Sequence, residues 1–440
     1  MKLRRGLGPL ALLATLYVLL VGGPYGTEQM VPDAGPGLAI AALLVMPFIW
    51  AVPYILLVAE ISSSMPLQGG SYKWFSASLN RFWSFQLTIL DWMSWVLDAA
   101  LYPPLVAGYL TALVFEGSNR WVTWGICLVV IWGCTFLNIR GMKGMGHAAL
   151  IMSAIVLVPV FLIVVLGMPR IDLSTLVPMT PEEVPRLTAL NAALIWCLWN
   201  YSGYAGLASA SEEIKAPERN LPKMLAILLP MSMVAYVAPM LVALSVTPDW
   251  QSWGTGHYTH VAFVLGGVGL MVLTSGAAMV SNVGLFNSEQ IVISRMPYSM
   301  ARDGVLPPWL AKLHPKYGTP ARLLIIMAIF YSILTFFWGF MKLLYVSTWF
   351  SLPAYLMTFA APLILRWKRP DLRGPFRIPG GWPVIILVAL VPTAIALYVM
   401  FTTGWEEVRG ALYLMALIPV IYLLAQWDRR RRESKPSNVE

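Results

Sequence analysis

The sequence predicts an all-α membrane protein. Twelve transmembrane helices form a 5+5 inverted repeat in which helices 1 and 6 are discontinuous. Three observations carry that reading. Of the 440 residues, 58% are apolar and only 12% charged, and the mean hydropathy is +0.70; a soluble chain of this size carries roughly 25% charged residues. The apolar residues gather in runs close to the length that crosses a ~30 Å hydrocarbon core. Two of those runs, five spans apart, are interrupted by glycine-rich stretches.

The runs cover 8–30, 36–62, 82–115, 121–138, 148–168, 187–212, 223–246, 260–294, 321–339, 343–365, 382–402 and 409–427. The first begins like a signal peptide, with Lys2, Arg4 and Arg5 before an apolar stretch. No small-residue cleavage pattern follows, so it reads as a retained helix. The third and eighth runs are long enough to tilt. The whole of 1–440 then forms one transmembrane domain: a first repeat over 8–168, a second over 187–365, two additional helices over 382–427 and a cytoplasmic tail over 428–440.

Charge sets the orientation. With both ends in the cytoplasm, twenty-five of the thirty Lys and Arg fall on the inner side. Only Arg120, Arg170, Arg186, Lys342 and Arg409 fall outside. This asymmetry is the positive-inside pattern. It accounts for the net charge of +9 without a nucleic-acid partner. Arg429, Arg430, Arg431 and Arg432 read as an anchor near anionic lipid. The expected location is the cytoplasmic membrane. Cys127, Cys134 and Cys197 lie in apolar runs without metal-ligand spacing and read as inert buried thiols.

The interruptions point to function. Gly22, Gly23, Pro24, Tyr25 and Gly26 oppose a continuous helix in the first run. Ser202, Gly203, Tyr204, Ala205 and Gly206 do the same in the sixth. An odd number of spans between them gives the two halves opposite topology, and matched breaks of that kind mark a transporter's midplane site. The competing reading is a kinked seam of small residues at each place. Breaks free backbone N–H groups at one half-helix start and carbonyls at another's end. An amino acid would set its carboxylate on the N–H groups near Gly22, Gly23 and Gly26, and its ammonium on the second break. Tyr25 and Tyr204 would gate or line the pocket.

Acids within the spans default to functional candidates. Glu28 lies just past the first break. Asp91 and Asp98, seven apart, share one helix face. Each has a structural alternative: a helix-capping carboxylate for Glu28, a buried hydrogen bond for the two aspartates. Glu60 and Glu289 sit near expected inner helix ends and read as structural.

At these residues the chain resembles a known family. Gly22, Gly23, Pro24, Tyr25, Gly26, Thr27 and Glu28 look like the first-helix motif of the amino acid–polyamine–organocation superfamily. The nearest branch is that of plant and protozoan polyamine permeases and L-type amino acid permeases. The stretches at 98–103, 281–286, 301–307, 317–320 and 370–380 resemble that branch in the same order. The resemblance implies alternating access, with helices 1, 3, 6, 8 and 10 lining the path. Carried over, the substrate's carboxyl end meets Gly22, Gly23 and Gly26, and its amino end meets Tyr201, Ser202, Gly203 and Tyr204. Polyamine members place acids where this chain has Ala205 and Thr358. An uncompensated polycation at the midplane is costly, so the departure favours an amino acid substrate over the alternative, a polyamine or cationic amino acid.

The expected substrate-binding set is therefore Gly22, Gly23, Tyr25, Gly26, Glu28, Asp98, Tyr201, Ser202, Gly203 and Tyr204. Coupling to H+ or Na+ falls to Glu28, Asp91, Ser281 or Asn282. No cofactor, metal or catalytic residue is expected. There is no GxxxxGK[ST] loop for nucleotide-driven pumping. His257 and His260 form an isolated HxxH without a third ligand, and the four histidines are too scattered for a membrane enzyme.

Overall fold

A computed structural model of the chain describes residues 21–65, 70–114, 119–141, 145–203 and 217–433, together with Leu13 and Tyr17. Among these residues all regular structure is helical, as it must be where no water can satisfy backbone groups. The helices are α1 (Met30–Ala34), α2 (Pro36–Ser64), α3 (Ser71–Ser78), α4 (Arg81–Ala99), α5 (Tyr102–Val114), α6 (Arg120–Arg140) and α7 (Met145–Gly167). They continue with α8 (Arg186–Asn200), α9 (Pro217–Val246), α10 (His257–Arg302), α11 (Ala321–Phe337), α12 (Phe340–Lys368), α13 (Gly381–Thr402) and α14 (Trp405–Glu433). Among the described residues nine helices are long and apolar enough to cross a membrane, with α4 and α5 counted together, and α11 is a shorter apolar helix. The chain is an integral, multi-pass membrane protein.

Local signals explain the boundaries. The Asn80 side chain accepts from Trp83 N at the start of α4, and Asn119 accepts from Trp121 N at the start of α6, each satisfying an amide that the first helical turn leaves open. Gly35, between α1 and α2, has φ +90. Inside α2, Pro47–Ala51 form a π turn that includes the buried Trp50.

Two expected spans need correction. The eighth, placed at 260–294, is observed as His257–Arg302 with non-helical backbone at Gly266 and Gly267. A short helix precedes the break, and the long helix starts at Val268. Hydropathy does not register this boundary because both pieces are apolar. The third run is two helices meeting at Ala100 and Leu101. Residues 8–12, 14–16 and 18–20 of the first run, and residues 204–216, lie outside the described residues.

Helix α4 packs along α12, and α10 packs on α5 and α7. Some buried polar side chains pair across helices. Asn138 Nδ2 donates to Gln290 Oε1 at 3.0 Å, and Gln290 Nε2 donates to Thr135 Oγ1 at 3.2 Å. Together they join α6 to α10 without an uncompensated buried amide. The three cysteines are buried.

Candidate substrate site

The first break is a real departure from helix. Val21 N and Gly22 N both donate to the Tyr17 carbonyl, and Gly22, Gly23 and Gly26 all have φ between +59 and +100. Side chains rarely tolerate that region. At Gly22 a Cβ would also press on the Leu285 side chain and sit 3.0 Å from Ser281 Oγ. The chain becomes helical again at Thr27–Gln29. In the second break α8 ends as Tyr201 N donates to Cys197 O at 2.9 Å, and Ser202 and Gly203 follow in non-helical backbone. Tyr204 lies outside the described residues.

One hydroxyl touches both breaks. Tyr236 on α9 lies 3.2 Å from the Val21 carbonyl and 3.4 Å from the Asn200 carbonyl. Around it Tyr201 donates to the Leu43 carbonyl at 2.9 Å, and the Trp50 indole donates to Ser202 Oγ at 3.1 Å. Trp199 approaches the Cβ position of Gly26 to 3.6 Å. The two interruptions therefore adjoin each other across the core.

Beside them opens a cleft. Its walls are Ser94, Trp95 and Asp98 of α4, Tyr102 of α5, Leu198 and Trp199 of α8, Ser202 and Gly203, Glu289 of α10, and Ser347, Thr348, Ser351 and Tyr355 of α12. The Tyr102 hydroxyl stands 3.0 Å from Glu289 Oε1 and 3.5 Å from Asp98 Oδ2. Glu289 Oε2 is buried with no hydrogen-bond partner. No Lys, Arg or His is among the described lining residues. Chemically this is a carboxyl-bearing, aromatic-walled cleft that could take a desolvated cation.

The remaining expected site residues are engaged elsewhere. Glu28 is fully buried. Its carboxylate accepts from Gly26 N at 2.8 Å, Tyr109 OH at 2.5 Å and Gly256 N at 2.9 Å. The Gly22 and Gly26 amides are thus both bonded within the protein. Tyr25 donates to the Val156 carbonyl at 3.2 Å and stands edge-on to Tyr109, away from the cleft. The Asp91 carboxylate accepts from Ser71 on α3. Ser281 donates to the Gly22 carbonyl, whereas Asn282 donates to Ala278 O of its own helix at 2.8 Å. Of the expected set, Asp98, Ser202 and Gly203 line the cleft.

Sequence reasoning passed over Glu289. With the eighth span ending at 294, that residue looked terminal. The helix runs on to Arg302, which leaves Glu289 about 20 Å from its end at 1.5 Å per residue. A usable signal existed: Glu289 follows Asn282 by seven residues, on a helix face already singled out.

A family model described as Amino acid permease matches residues 13–425. The chain belongs to the amino acid permease family, within the superfamily its motifs resemble. The permease is 30% identical over 401 residues to the polyamine transporter PUT1 of Oryza sativa subsp. japonica, covering 90% of this chain and 74% of that one. It is 28% identical to the polyamine transporter RMV1 of Arabidopsis thaliana, covering 97% and 86%. It is also 25% identical to the branched-chain amino acid permease BcaP of Bacillus subtilis (strain 168), covering 93% and 91%. These relatives are carriers of solutes, not enzymes, and so is the permease.

Proposed function

We propose that this permease moves polyamines or similar organic amines across the cytoplasmic membrane by alternating access, with the Asp98–Glu289 cleft as the substrate site. The observation that carries the reading is two carboxylates, one with a buried unpartnered oxygen, on a cleft walled by Trp95, Tyr102, Trp199 and Tyr355. A desolvated ammonium needs such acids, and aromatic faces add cation–π attraction. Asp98 and Glu289 supply from α4 and α10 the charge that Ala205 and Thr358 lack. The amino acid favoured on sequence grounds is the second reading. The Ser347, Thr348 and Ser351 hydroxyls on α12 could donate to its carboxylate. Against it, Gly22 and Gly26 already have partners for their amides.

In this reading the repeats over 8–168 and 187–365 rock about the two breaks, both termini lie in the cytoplasm, and 382–427 stand outside the moving core. The test is thermal stabilisation of purified protein by putrescine, spermidine and the twenty amino acids, since a ligand stabilises by RT ln(1 + [L]/Kd). Polyamines are expected to raise the melting temperature and neutral amino acids to leave it unchanged. The opposite pattern replaces this reading with the second. Uptake into vesicles with a proton or sodium gradient imposed in turn identifies the coupling ion.

A further inference from the structure

A second cleft, lined by a different set of residues, lies at the end of α2 where the loop after α12 folds back. It is small and partly open to solvent. Its floor is the pair Glu60–Arg366, whose side chains are 9% and 6% exposed. Glu60 accepts from Arg366 Nε at 2.5 Å, from Arg366 Nη2 at 2.6 Å and from Ile378 N at 2.8 Å, so that carboxylate is saturated.

The wall of the cleft is fixed. Ser63 Oγ donates to the Phe376 carbonyl at 2.9 Å. A Cβ at Gly374 would fall 2.5 Å from the Ser64 backbone nitrogen, so the loop is pressed onto the end of α2 as closely as glycine permits. This rigid segment carries three more lining arginines, Arg369, Arg373 and Arg377. Arg369 meets Asp371 at 3.4 Å with both side chains more than half exposed, a contact that contributes little. Among the described residues Arg373 reaches only the Pro370 carbonyl, at 3.4 Å. Arg377 makes no hydrogen bond among the described residues. The lining holds four guanidiniums against the single Glu60 carboxylate, an excess of three positive charges that Asp371 at the rim lowers to two.

Planar guanidiniums with unfilled donors match phosphate oxygens in geometry and charge. We propose that this cleft binds a phosphate-bearing anion, either the headgroup of a membrane phospholipid or a free phosphate. The Glu60–Arg366 pair holds the site's shape, and Arg369, Arg373 and Arg377 supply the donors. One wall belongs to α2 and the other to the end of α12, so a bound anion ties those two ends together.

The full-length protein, purified in neutral detergent, is titrated with short-chain phosphatidic acid, with phosphatidylcholine as the zwitterionic control, and with inorganic phosphate. Saturable binding of phosphatidic acid or phosphate is expected, weakened about tenfold or more in R373Q/R377Q. It is expected to be unchanged in K312Q/K316Q, which removes equal charge from the exposed loop before α11. Binding of inorganic phosphate as tight as that of phosphatidic acid identifies a free anion, and binding of the lipid alone identifies a headgroup. Arg377→Gln by itself removes no hydrogen bond among the described residues and keeps the test open if the double variant is poorly folded. Equal losses in the two double variants, or no saturable binding of either probe, overturn the proposal.

Discussion

Glu289 meets the Tyr102 hydroxyl with one carboxylate oxygen and buries the other without a partner. A buried acceptor left unmade costs about 1–3 kcal/mol, more when charged, and under the proposed function a bound ammonium relieves that cost. Glu289→Gln is expected to keep the protein folded and to weaken spermidine binding by roughly tenfold or more, as is Asp98→Asn. Isothermal titration reads this; unchanged affinity in both variants removes the cleft as the cation site. Gly26 has φ +100, and a Cβ there would sit 3.3 Å from Leu105 Cδ1. The leucine can rotate, so backbone strain dominates, and Gly26→Ala should destabilise by about 1–3 kcal/mol. A melting temperature equal to the parent's would show that the break needs no glycine at that position.

Ion pairs between elements hold helix ends in register. Glu60 on α2 and Arg366 on α12 are nearly buried, and removing one partner leaves an uncompensated charge. Arg366→Met is expected to cost on the order of 3 kcal/mol, measured as lost thermal stability, with Glu60→Gln/Arg366→Met together less damaging than the single change. A second contact joins α3 to the end of α10. Lys73 Nζ lies 2.5 Å from Asp303 Oδ2, and Tyr72 OH donates to the same oxygen at 3.0 Å. Burial pushes the Asp303 carboxyl upward, but the bonds from Lys73 and Tyr72 outweigh it and hold the carboxyl below its ordinary range. A folded value below the unfolded one gives stability that is present above the ordinary carboxylate pKa of about 4. That stability is lost as pH falls through the lower folded value. The difference in melting temperature between the parent and Lys73→Met should therefore be constant from pH 8 to pH 5 and shrink below about pH 4. Its ceiling is about 1 kcal/mol for so exposed a pair. A difference that grows on acidification would contradict the assignment.

Over the whole molecule, the three native cysteines are buried and a polar thiol reagent should leave the parent unlabelled. Ser351→Cys, on the cleft wall, should be labelled, and spermidine should block the reaction; labelling indifferent to spermidine would place the amine elsewhere. The sequence was enough to determine the all-helical membrane class, because apolar runs of that length have few other stable solutions. It was also enough to mark the first break, since Gly22, Gly23 and Gly26 within five residues announce backbone that other residues resist. Helix ends such as α6 and α13 fell within two residues of the apolar runs. The division of α10 at Gly266 and Gly267 did not, because apolar residues on both sides hide it from hydropathy. Which acids face one another was beyond one-dimensional reading. Glu28 and Asp98 look alike along the chain, yet Glu28 is bound by three donors while Asp98 opens on the cleft. Only the packing of α4 against α10 and α12 brings Asp98 to Glu289, residues far apart in sequence. A carboxylate's role depends on the donors and walls that other helices bring to it, and those are fixed by tertiary contacts.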